Sequence, residues 1–174
     1  MTPERELLRH YIAALAYRAQ KVLREAPPAF PDFAPGRMAR SPVEVLRHMT
    51  SVLGYARTFF VGGNYPLHPE PLAGFGREID RFHETLEALS RELEAGTPLQ
   101  GITERQLLQG PLADVMTHIG QLALLRRLAG APVPPENFIY ADVRADRLGP
   151  DQAPPKAPDA EWPERPAPPV RPGP

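Results

Sequence analysis

The chain has 174 residues with 20 basic and 21 acidic side chains, a net charge of -1, 5 histidines and no cysteine. That length suits one domain with a buried core of its own, and the lack of cysteine excludes a disulfide framework, thiol catalysis and any cysteine-bearing zinc site. The even charge leaves no footprint for nucleic acid or an anionic membrane surface, and no apolar run reaches the roughly 18 residues of a membrane span.

Helical periodicity runs through the first 130 residues. A first helix is predicted to start after Thr2, with Pro3 at its first position and Glu4 beside the positive end of the helix dipole. Its apolar stripe is Leu8, Tyr11, Ile12, Leu15, Ala19, Val22 and Leu23, and Pro27-Pro28 stops it. Residues 27–40 hold four prolines and a glycine and read as a loop pinned by Phe30 and Phe33. Ser41-Pro42-Val43-Glu44 is a capping box. The helix it opens carries Val45, Leu46, Met49, Val52, Leu53, Ala56, Phe59 and Phe60 on one stripe and ends at Gly62-Gly63. Residues 61–71 then make a connection long enough to cross the end of a bundle. A third helix shows a seam of Phe75, Ile79, Phe82, Leu86, Leu89 and Leu93, capped by Gly96. Thr103 to Gln106 is a second capping box, and Gly110-Pro111 interrupts the pattern behind it. The expectation is a short helix over 104–109 and a main helix from Pro111 to about Ala129. Val115, Met116, Ile119, Leu122, Ala123, Leu125 and Leu128 would form its core side.

No strand-period segment precedes residue 136. Four long helices with a long crossover between the second and third predict an all-α four-helix bundle over 1–149. Of the 24 prolines, 10 fall in 150–174, so that stretch reads as a separate extended, proline-rich tail. The charged start, Met1-Thr2-Pro3-Glu4-Arg5-Glu6, stands where a secretory signal carries its apolar stretch, so the expected location is cytoplasmic.

Polar groups at inward helical positions are the candidates for chemistry. His48 lies between Val45 and Val52 on the stripe of the second helix. Asp114 and His118, four apart, lie about 40° apart around the last helix, one turn along it. Val115 and Leu122 flank His118 at core spacing. Two imidazoles and a carboxylate from two helices make a three-ligand set for a divalent metal such as zinc, nickel or iron, with positions left for water or substrate. If so, their ligating atoms should approach within about 4 Å of one another. The plainer readings are a hydrogen-bonded core histidine for His48 and a dipole-stabilising acid in a first helical turn for Asp114.

The stretch Asp114-Val-Met-Thr-His118-Ile-Gly120-Gln121, together with His48 in an Arg-His-Met-Thr helix, resembles the DinB-like superfamily of metal-binding four-helix bundles. That resemblance implies one metal ligand on the second helix and a pair four apart on the last, followed by Gly-Gln. Many members carry histidine where this chain has Asp114, whereas the related mycothiol-dependent maleylpyruvate isomerases use a carboxylate there. By that likeness the metal would activate a low-molecular-weight thiol, in a transferase or isomerase. A metal-dependent hydrolase uses the same ligands, and a non-enzymatic, stress-related bundle with a structural metal or none is the alternative.

Around this set, Gln121 is placed to orient His118, with a helix-packing amide as the alternative. His83 falls at the edge of the third-helix seam, half-exposed or facing the site, and Tyr55 and Tyr140 either line a pocket or pack. His10 and His68 are expected to be solvated. Arg126 and Arg127 are placed as partners of the helix C-terminus or of a substrate carboxylate. No phosphate-binding glycine loop or nucleophile elbow is present. A tail that folds along a second copy would bury Trp162, so the expected assembly is a homodimer.

Overall fold

The structure is a computed structural model, and it describes residues 1–159. Thr2 caps α1 (Pro3–Leu23), its Oγ1 accepting from the Arg5 N–H. α2 (Pro42–Val61) opens on the Ser41 capping box, with the Glu44 carboxylate accepting from the Ser41 N–H at 2.7 Å. α3 (Phe75–Glu94) closes on Gly96, whose φ of 73° lets the Thr97 N–H reach back to the Glu92 carbonyl at 3.0 Å. The box of Thr103 and Gln106 starts α4 (Glu104–Leu107).

The expected break at Gly110-Pro111 is absent. α4 passes through one wide turn, Leu108–Leu112, directly into α5 (Ala113–Leu128). Proline has no N–H to give and its ring clashes with the carbonyl four residues back in a regular helix. Here the Ala113 N–H bonds the Leu108 carbonyl, five residues back, and the widened turn accommodates Pro111. The extra residue also resets the register. Leu107 and Val115, eight positions apart, are both fully buried, as residues seven apart would be in an uninterrupted helix.

α1 and α2 each pack against both α3 and α5, so the four long helices close a ring in the order α1, α3, α2, α5. Side-chain pairs give their directions. Arg47–Glu78 and Arg57–Glu92 make α2 and α3 parallel, and Arg5–Glu104 with Arg126 bonded to the Val22 carbonyl makes α1 and α5 parallel. Arg9–Glu94 and Gln20–His83 set α1 antiparallel to α3. Between them lies a core that includes Ile12, Leu15, Leu46, Met49, Leu53, Phe82 and Leu122. Each such side chain contributes about 1.5–3 kcal/mol by leaving water.

Parallel neighbours that are consecutive in sequence need a connection that returns the length of a helix. α2 has 20 residues and rises about 30 Å, while residues 62–74 span at most about 45 Å. The crossover therefore runs back along α2 rather than across the bundle end. Tyr65 packs on the bare face of Gly54, and the Pro66 carbonyl accepts from Ser51 Oγ at 2.8 Å. Leu67 and His68 lie beside His48, and the Leu72 N–H donates to Glu78 at 2.9 Å.

Leu128 departs from expectation, being 58% exposed, while Arg126 is buried. The guanidinium of Arg126 donates to the carbonyls of Val22 (2.9 Å), Arg24 (3.2 Å) and Ala131 (2.7 Å), satisfying the ends of α1 and α5 together. A charged group at that inward place displaces Leu128 to the surface. Arg126 is thus a structural clamp between the two helix ends.

Residues 131–159 form a strap over α1 and α5. Glu136 is buried, accepting from Tyr17 Oη at 2.7 Å and Lys21 Nζ at 2.9 Å. The tail assigned to 150–174 begins on its own chain. Gln152 is buried and caps the Arg147 and Gly149 carbonyls, its carbonyl accepts from Arg24, and Glu136 pairs with Pro158 in an isolated antiparallel bridge. Trp162, and with it the expected arm of a homodimer, lies outside the described residues. No strand longer than that bridge is present among the described residues, and no helix among them is long and apolar enough to cross a membrane.

Candidate metal centre

Antiparallel packing of α2 on α5 brings His48 of α2 against Asp114 and His118 of α5. Asp114 Oδ1 lies 3.5 Å from His118 Nε2, and Asp114 Oδ2 lies 4.0 Å from His48 Nε2. The two imidazole rings meet edge to face, with centroids 4.7 Å apart. One ligating atom from each of the three residues falls within 4.8 Å of the other two. That is wider than the 4 Å expected. Three donors about 2.1 Å from a tetrahedral metal would lie roughly 3.4 Å apart, so the widest separation has to close by more than 1 Å. Of the three, Asp114 has the most room to move, its side chain being 47% exposed.

Hydrogen bonding and burial orient the two imidazoles differently. His118 is buried, and its Nδ1 lies 2.7 Å from Gln121 Oε1. An amide oxygen only accepts, so Nδ1 is the donor to Gln121 and Nε2 is the nitrogen turned towards Asp114. This is the orienting role considered for Gln121. Burial pushes the His48 pKa below its ordinary 6.5, the charge of Arg40 pushes it further, and Asp114 opposes them. His48 is therefore a neutral imidazole at pH 7. The wide turn removes the plainer reading of Asp114. With α4 and α5 continuous, the amides ahead of it are engaged in helix, and the carboxylate caps no free helix end.

Two clefts flank the three residues. One, of about 580 Å³, is lined by Val52, Tyr55, Pro111, Asp114 and Thr117. Tyr55 is 55% exposed there and packs edge-on against Phe59. The other, of about 410 Å³, lies between α2 and the crossover and contains His48, Arg40 and His68.

His83 is a correction. It is 1% exposed and away from these clefts, with Nδ1 2.6 Å from the Leu148 carbonyl and Nε2 3.3 Å from Gln20 Oε1. The strap covers the seam edge on which His83 stands, which sequence spacing treated as open to solvent. Tyr140 is 62% exposed and lines neither cleft. His10 and His68 are exposed, as expected. The sequence reading missed the buried Tyr17–Glu136–Lys21 cluster, whose acid lies outside any helix, and the nearness of His68 to His48, which depends on the path of the crossover. Compared with known proteins, the chain matches no family model, no curated protein and no solved structure.

Proposed function

We propose that His48, Asp114 and His118 hold one divalent cation, and that the protein is a metal-dependent enzyme acting on a low-molecular-weight thiol. The supporting observation is the meeting, from two helices, of two imidazoles and a carboxylate beside two clefts. The donor set fits a divalent metal: two nitrogen lone pairs and one anionic oxygen leave the centre a net positive charge, and three protein ligands leave coordination positions open. A cation so held lowers the pKa of a thiol or water that reaches it.

The protein's own groups do the rest. Gln121 fixes the His118 tautomer, the α2–α5 contact sets the separation of the two imidazoles, and Asp114, on the exposed side, offsets part of the charge. The up-down-down-up helix order, the Asp114/His118 pair and the Gly120-Gln121 behind it support the likeness to DinB-like bundles. Because Asp114 opens onto a cleft, a substrate-binding centre is favoured over a closed structural one.

The test is proton release. Protein purified without an affinity tag and loaded with one equivalent of zinc should release close to one proton per thiol bound at pH 7, with bacillithiol, mycothiol and glutathione as probes. Zinc binding without any thiol-linked proton release would contradict the thiol reading.

A further inference from the structure

The cleft between α2 and the crossover has a charge arrangement of its own. Arg40 ends the loop before α2, and its charge acts on Glu44 of the same cleft without a direct ion pair. Arg47 is bonded to Glu78 at 2.9–3.0 Å, whereas Arg40 makes no hydrogen bond or ion pair among the described residues. His68 is exposed and equally uncommitted. Both line the cleft that His48 lines.

Two acids line the same cleft. Glu44 is held by the Ser41 N–H and Oγ as part of the α2 cap, at 2.7 and 3.0 Å. Glu70 is exposed, and its backbone carbonyl accepts from Arg81. Glu78, bonded to both Arg47 and Arg81, leaves those three residues with one positive charge. The formal charge of the cleft wall is therefore balanced, and what distinguishes it is a planar, unpaired guanidinium beside the metal-ligand histidine. A carboxylate fits that fork with two parallel hydrogen bonds, which no neutral group of the same size can make.

We infer that Arg40, assisted by His68, forms the subsite for a carboxylate on the molecule whose donor atom reaches the metal centre. The substrate class is thereby a small thiol carrying a carboxylate a few bonds from its sulfur. The cleft, about 410 Å³, has room for such a molecule beside His48. This inference rests on the metal-centre reading and adds to it a choice between acidic and neutral ligands. Glu70 would limit the affinity by competing for Arg40.

The experiment compares 3-mercaptopropionate with its neutral amide on the cobalt-loaded full-length protein, following the sulfur-to-cobalt charge-transfer band. The wild type should bind the acid at least tenfold more tightly than the amide. Arg40→Gln should retain cobalt and bring that ratio close to one, while Glu70→Gln should raise it. Equal affinities for acid and amide in the wild type, or an unchanged ratio in Arg40→Gln, would overturn the subsite and leave the metal centre standing. Absence of cobalt uptake by the wild type would overturn both. Arg40 and Glu70 are exposed and outside the core, so neither substitution threatens the fold.

Discussion

His118 and Gln121 show how much a single side chain decides. Their spacing of three on one helix is legible in the sequence, but the contact gives it meaning: an amide oxygen at 2.7 Å fixes which imidazole nitrogen is free. Gln121→Leu removes that acceptor from an exposed position without opening a cavity. Metal affinity should fall about 10–100-fold, the usual effect of losing a ligand's orienting partner, as read by competition with a chromophoric chelator. Unchanged affinity would mean that the Gln121 contact is incidental.

His48 and His83 bear on pH. Burial is the main cause lowering both pKa values below the ordinary 6.5. Below about pH 6.5 the unfolded chain takes up protons that the folded chain refuses, so stability falls as the pH drops through the window beneath 6.5. Metal-free protein should show a melting temperature that declines from pH 7 to pH 5, with a shallower decline in His83→Gln. Equal slopes would remove His83 from that linkage. Its burial was hidden from the sequence because the strap that covers it has no periodicity, and spacing along α3 reports only which side of that helix faces the bundle.

At the scale of elements, caps and stripes placed α1, α2 and α3 closely, since Ser41, Thr2 and Gly96 act through local geometry. Gly110-Pro111 misled because the same dipeptide either ends a helix or is absorbed by a widened turn, and packing on both sides selects the second. The path of the crossover was also beyond local pattern, although its length was not. Its anchor can be tested. A Cβ on Gly54 would fall 2.4 Å from the Tyr65 ring, so the ring must move. Gly54→Ala should lower stability by about 1–3 kcal/mol in denaturant unfolding and displace the crossover that carries His68. Wild-type stability would show that Tyr65 is not seated on that glycine.

Across the whole molecule, the helices alone do not complete the fold. The strap supplies Glu136 to Tyr17 and Lys21, the Leu148 carbonyl to His83, and the Gln152 carbonyl to Arg24. Desolvation and the Glu136 carboxylate raise the Tyr17 pKa, which keeps the phenol protonated as the donor. Glu136→Ala leaves a half-buried lysine and a buried phenol without their acceptor and should cost about 3 kcal/mol, measured by calorimetric melting, with metal content unchanged. Loss of metal together with the strap contact would show that the strap also holds α5 in place for the metal centre.

The most direct measurement is metal binding by tag-free wild type and by His118→Ala, paired with far-ultraviolet circular dichroism. The expected result is one zinc ion per wild-type chain, none retained by His118→Ala, and the same helical signal from both. A wild type that binds no metal, or a His118→Ala protein that keeps its full equivalent, would contradict the metal centre. Collapse of the helical signal in the variant would instead make His118 a core histidine whose place in the bundle is structural.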